Sequence, residues 1–207
     1  RKTEDPSIIT LRRNQTARNE FDSAILRSKV FNLIKEKSFF RGRITLASGK
    51  ESDFYFDMKP TMFSPAGAAS LAEMIFEKLY PMAVDYVGGL EVGAIPIVSC
   101  VTMFSHDTGR PLPGFFVRKE IKNHGTKRRV EGLHVGETLE GKSVAILDDV
   151  TTTGASAMLA VEAAKNAGAQ VALVLSVVDR QEGASEFYAQ AGVPFESLFT
   201  ASEFLKS

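Results

Sequence analysis

The sequence predicts an α/β fold, a mostly parallel sheet flanked by helices with a small N-terminal cap. Ser143–Leu147 and Val171–Val178 are near-continuous apolar runs, as expected of strands buried on both faces of a parallel sheet. Helical patterns separate the candidate strands, as repeated strand–helix–strand units require. The first sixty residues lack that alternation. Residues 1–60 are therefore read as an N-terminal arm and cap, and 61–207 as the α/β core.

Along the chain, residues 1–20 read equally as a loose arm or an early helix. Phe21 to Lys37 carries Leu26, Val30, Leu33 and Ile34 at helical spacing. Arg43 to Met58 predicts a hairpin, with Ile44-Thr45-Leu46 and Phe54-Tyr55-Phe56 flanking a Ser48-Gly49-Lys50 turn. Ser64-Pro65 starts a helix, with serine as cap and proline in its first turn. Leu71, Ile75 and Leu79 then line one face. Val84–Val87 is a short strand, Val92–Phe104 a helix and Gly114–Val117 a strand. Ser143–Leu147 ends in Asp148-Asp149, and Thr153–Ala167 is a helix closed by Gly168. Val171–Val178 ends in Asp179-Arg180, and Phe195–Phe199 is the last strand.

Composition excludes several classes of function. Lys and Arg total 25, as do Asp and Glu. No global field therefore draws the chain to nucleic acid or to a membrane, and any electrostatic function is local. The single cysteine, Cys100, permits no disulfide within the chain and predicts a reducing, cytoplasmic compartment. No apolar run approaches membrane-spanning length, and Arg1–Glu20 has no apolar signal core. His106, His124 and His134 form no metal-ligand spacing with one another or with Cys100.

The chemistry concentrates between residues 143 and 156. A buried strand delivers Asp148 and Asp149 to the carboxyl edge of the sheet, where open α/β sheets bind ligands. Thr151, Thr152, Thr153, Gly154, Ala155 and Ser156 follow, opening a helix. Free amides and the positive helix end make such a loop an anion cradle. A phosphate site beside a diacid suits a sugar phosphate, with carboxylates on the ribose hydroxyls. A lone Asp-Asp would be explained as ordinary helix capping; the strand before it and the Thr/Gly run after it favour the ligand site. Gly136 to Ser143 also matches a P-loop pattern. Its Lys142-Ser143 enters a strand rather than a helix, so the match is read as chance.

The apolar strand, two acids and Thr/Gly-rich loop resemble the phosphoribosyl pyrophosphate (PRPP) motif of type I phosphoribosyltransferases. A second segment narrows the family. Arg118-Lys119-Glu120-Ile121-Lys122-Asn123-His124-Gly125 closely resembles the catalytic loop of orotate phosphoribosyltransferases. The segment through Arg129 is basic and contains no aromatic residue to stack bases, which argues against a nucleic-acid patch. A mobile cationic lid suits a pyrophosphate-bearing substrate. Val177-Val178-Asp179-Arg180-Gln181-Glu182 matches the family's Asp-Arg-Gln-Glu segment. Leu46 through Asp57 resembles its N-terminal substrate segment, with Ala47 where many members have lysine. The glycine-rich Val87–Ile97 turn has Val92 where lysine is common, with Lys50 and Lys59 as candidate substitutes for the cation missing at Ala47.

This resemblance implies the type I phosphoribosyltransferase fold and transfer of phosphoribosyl from PRPP to orotate. Arg118, Lys119, Lys122, His124, Asp148, Asp149 and Thr151 to Ser156 would bind PRPP. Lys122, Asp149 and Asp148 would be catalytic, and Thr152, Arg180, Tyr55 and Phe56 would meet orotate. Mg²⁺ would ride on PRPP with no direct protein ligand, reaching Asp148 and Asp149 through water. The family also implies a homodimer sharing the basic loop across its interface. Two alternatives remain: transfer to another base, and a non-catalytic PRPP sensor that binds nucleic acid.

Overall fold

A computed structural model describes residues 6–45, 49, 51–120 and 129–207, with backbone alone for 6–20. The chain runs α1 (Pro6–Lys37), β1 (Phe39–Thr45), β2 (Glu51–Phe56), α2 (Lys59–Met62), α3 (Pro65–Leu79) and a 3₁₀ turn at Tyr80–Met82. There follow β3 (Tyr86–Gly88), α4 (Ala94–His106), β4 (Phe116–Val117) and β5 (Val130–Glu131). The remainder is β6 (Ser143–Thr151), α5 (Ala155–Asn166), β7 (Gln170–Asp179), α6 (Ala184–Gln190), β8 (Phe195–Thr200) and α7 (Ala201–Leu205).

The central sheet has the order β3-β6-β7-β8, and its three pairings are all parallel. This is the predicted fold class. Alternation along β6 explains its near-continuous apolar run. Ala145 and Leu147 enter one core with Leu71, Ile75 and Val98 of α3 and α4. Val144 and Ile146 enter another with Ala157, Ala160 and Val161 of α5. Successive side chains leave opposite faces of a strand, so a strand covered by helices on both sides has no polar face.

The segment 6–20, left open between arm and helix, continues α1. Leu26, Val30 and Ile34 form its buried stripe and join the same core as the sheet. The hairpin forms as β1 and β2, with a register irregularity between Arg41 and Ile44; its turn at 46–48 and 50 lies outside the described residues. Ser64 caps α3 by accepting from the Gly67 amide at 3.1 Å.

Several boundaries move, two of them for identifiable reasons. The strand expected at 143–147 continues to Thr151, because β7 goes on pairing with it through Val150↔Val178 and Thr151↔Asp179. The helix expected from Thr153 starts at Ala155, since Gly154 at φ 88° breaks the helical path before it. The helix expected from Val92 starts at Ala94. The P-loop look-alike lies at the amino edge of the sheet: the Gln170 amide donates to Lys142 O at 2.8 Å, at the start of β7.

Candidate active site

The carboxyl ends of β3, β6 and β7 meet at one edge, where the acids of β6 are held differently. Asp148 Oδ2 accepts a hydrogen bond from Thr151 Oγ1 at 2.6 Å. Its carboxyl is pushed up to about 7, chiefly by burial; the Thr151 hydroxyl works against that rise and neighbouring Asp149 adds to it. Asp149 is also raised by burial, with its own and the Val150 amide and the Lys59 ammonium opposing the shift. Asp149 lies against the glycine loop: a methyl group on Gly93 would come within 2.6 Å of its Oδ1. The loop's other end is equally tight, since a methyl on Gly89 would lie 2.4 Å from Leu147 O. Glycine here permits close approach of two backbones.

The turn expected to cradle an anion follows directly. Thr152, Thr153, Ala155 and Ser156 are exposed, while Thr151 is buried and its hydroxyl is turned to Asp148. No side chain caps α5 and its first turn carries no acid, so the positive end of the helix is not neutralised from within. Tyr188 of α6 fixes this turn by donating to Gly154 O at 2.8 Å. Burial pushes its phenol well above the ordinary range.

The basic loop rises from the β4–β5 hairpin, in which Val117 pairs with Val130. That stem is tied to the glycine loop. The Val117 amide donates to Gly89 O at 2.8 Å, and the Glu91 amide donates to Val117 O at 2.8 Å. Glu91 Oε1 also accepts from the Lys119 amide at 2.9 Å. Arg118 and Lys119 are thereby anchored beside the diacid's neighbour, whereas Lys122 and His124 lie outside the described residues.

Arg180 closes the third side. Its amide donates to Thr151 O at 2.9 Å. Its guanidinium is buried, with Nε donating to Glu182 Oε1 at 2.7 Å and Nη2 donating to Ser52 Oγ at 3.3 Å. The Phe54 ring lies 4.6 Å beneath it. Tyr55 is half-buried, whereas Phe56 is only 4 % exposed. The Phe56 ring contacts Phe39, Phe54 and Phe204, which is the core placement that strand alternation also allows.

The sequence singled out the backbone of this site but not its supports. Glu182 stood inside the quoted Asp-Arg-Gln-Glu segment, yet nothing marked it as the partner of Arg180. Period-two spacing puts Ser52 and Phe54 on one face of β2, but not which residue they meet. Lys59 bonds Asp57 Oδ1 at 2.7 Å and is raised mainly by that contact, with Asp149 adding to the shift. It is a cation at the diacid's side of the site. Cys100 is half-buried in α4, its thiol pushed up by burial. Among the described residues, no group of three or more His, Cys, Asp or Glu side chains converges on a metal position.

No protein-family model matches the chain. The orotate phosphoribosyltransferase of Bradyrhizobium diazoefficiens is 53% identical over 181 residues, 87% of this chain and 97% of that one. The chain belongs to the orotate phosphoribosyltransferase family. The solved orotate phosphoribosyltransferase of Mycobacterium tuberculosis shares its fold at a TM-score of 0.74 and 33% identity, across 86% of this chain and 98% of that one. A second structure of that enzyme, in complex with PRPP, matches at a TM-score of 0.71 and 30% identity over the same shares. The sheet edge just described thus belongs to an orotate phosphoribosyltransferase, a pentosyltransferase. No helix among the described residues is long and apolar enough to cross a membrane.

Proposed function

We propose that this edge carries out the transfer for which the family is named. Orotate attacks the anomeric carbon of PRPP through a ring nitrogen. The new C–N bond forms as the C–O bond to pyrophosphate breaks; the electron pair leaves with pyrophosphate, which also takes up the proton lost by the ring nitrogen. The product is orotidine 5′-monophosphate, within pyrimidine biosynthesis. The observation that carries this reading is Asp149 lying on Gly93, between the glycine loop and the uncapped start of α5.

Thr152 to Ser156 hold the 5-phosphate with backbone amides and hydroxyls, while Thr151 braces Asp148. Asp149, with Asp148, accepts the ribose hydroxyls and favours positive charge developing on the sugar. Arg118, Lys119, Lys122 and His124 neutralise the departing pyrophosphate, with Lys122 the main contributor. Lys59 supplies a cation in the segment where Ala47 gives none. Arg180 takes the orotate carboxylate, since a guanidinium fork binds a carboxylate bidentately; Thr152 and Tyr55 border the ring. Phe56 is given no part in ring contact, because core neighbours occupy its faces.

Two half-buried carboxylates are a hard-oxygen donor set suited to a cation that keeps most of its waters. Mg²⁺ bound to the diphosphate would supply charge neutralisation, with Asp148 and Asp149 receiving its water ligands. A homodimer that shares the basic loop is the assembly we infer from the family resemblance. A cytoplasmic setting without nucleic-acid partners fits the single cysteine and the balanced charge.

Absorbance-monitored consumption of orotate with PRPP and Mg²⁺ tests the assignment. Turnover that needs all three supports it. Turnover of adenine or uracil in place of orotate would sink it, as would salt-dependent nucleic-acid binding without turnover.

A further inference from the structure

An arginine selects a carboxylate only if its plane is fixed, because the side chain otherwise loses much rotamer freedom on binding. Arg180 directly follows β7, and the backbone fixes only its amide, on Thr151 O at 2.9 Å, not the plane of its guanidinium. The fixing contacts come from elsewhere. Glu182 takes the Nε edge at 2.7 Å. Ser52 Oγ accepts from Nη2 at 3.3 Å, and the Phe54 ring supports the guanidinium face at 4.6 Å. Ser52 Oγ donates in turn to Phe54 O at 2.8 Å, so it meets Arg180 as an acceptor. Neither hydrogen bond uses Nη1. With Nε occupied, the edge formed by Nη1 and Nη2 is the one a substrate carboxylate would meet.

We propose that Ser52 and Phe54 are positioning residues for base recognition. The β1–β2 hairpin clamps the guanidinium of Arg180 so that its outer edge faces the carboxylate of an acid-bearing heterocycle. This rests on the assignment of Arg180 to the orotate carboxylate. Specificity is then set jointly by two parts of the chain 128 residues apart. The sheet supplies the charge and the hairpin supplies its orientation.

Steady-state kinetics on the full chain tests the clamp, with KM measured separately for orotate and for PRPP. Phe54→Leu keeps an apolar contact but removes the aromatic face, and should raise KM for orotate about tenfold. Ser52→Ala should raise it about threefold. KM for PRPP should stay within about twofold in both variants. Phe54→Tyr restores the ring and should restore orotate binding. A purely structural role would lower thermal stability without this split between substrates, and that outcome overturns the proposal. Arg180→Ala keeps the two ideas apart. If it leaves KM for orotate unchanged, the carboxylate assignment fails. If it raises KM while Phe54→Leu and Ser52→Ala do not, the clamp alone fails. Should Phe54→Leu not fold, Ser52→Ala still decides the matter, since an unchanged KM for orotate in that variant overturns the clamp.

Discussion

The two ends of the site are built in contrasting ways. The end we assign to phosphate and ribose is one continuous stretch, β6 running into α5, with Asp148 bonded to Thr151 only three residues away. The end we assign to the base is assembled from parts remote in sequence, Arg180 just beyond β7 and Ser52 and Phe54 on the N-terminal hairpin. A contiguous site can be written as a motif because one strand and one turn fix all its members. A site assembled across the fold leaves only its charged member conspicuous. On the proposed reading the chemistry divides in the same way, with a cradle general to sugar phosphates and a clamp that chooses the base.

The contrast should break most sharply at the basic loop, which we assign to the general end. Lys122→Ala should lower kcat by about a hundredfold or more, the scale of losing one preorganised charge contact in a transition state. Thermal stability should stay unchanged. Near-normal turnover would remove Lys122 from the mechanism and leave the pyrophosphate to Arg118, Lys119 and His124.

A smaller effect sharpens the same end. Gly93 adopts φ −58°, so alanine meets no backbone strain there. Its methyl would nevertheless lie 2.6 Å from Asp149 Oδ1. The group that must move is the tip of a side chain, so the fold should tolerate Gly93→Ala. Displacing that carboxylate should cost about tenfold to a hundredfold in kcat/KM. If activity survives while melting is unchanged, Asp149 does not need its place on the glycine loop. Gly154 makes the opposite case, because φ 88° and the Tyr188 ring 2.8 Å from an added methyl would penalise the fold itself.

What the sequence conveyed follows this division. The parallel sheet could be read because β6 and β7 are apolar on both faces, and the acids marked their carboxyl ends. Helix α6 and the short α7 went unread, since seven and five residues give too little periodicity to register. The end of β6 was misread because Asp148 and Asp149 look like a loop, yet β7 holds them in the ladder through Thr151↔Asp179. Arg180 could be found by its charge and its family segment. Ser52 and Phe54 could not, because their meaning lies in a contact across the fold. Phe56 shows the converse: an aromatic beside the site residues can still belong wholly to the core.

The smallest expected effect tests the energetic cost of the diacid. Asp148 gives up its proton near 4 in the unfolded chain but holds it to about 7 in the folded one. Between those values the folded state carries the extra proton, so stability falls as pH rises through the window. Above 7 the full cost of a buried charge is present in the ligand-free protein. Asp148→Asn has no charge to bury and should lose this dependence. Between pH 6 and pH 8 the wild-type protein should lose about 1 kcal/mol more than the variant, roughly 2–4 °C in melting temperature for a chain of this size. Equal pH profiles would mean that Asp148 is ionised in the folded protein well below pH 7. The diacid would then meet PRPP already doubly charged, rather than with Asp148 close to half-protonated near neutrality.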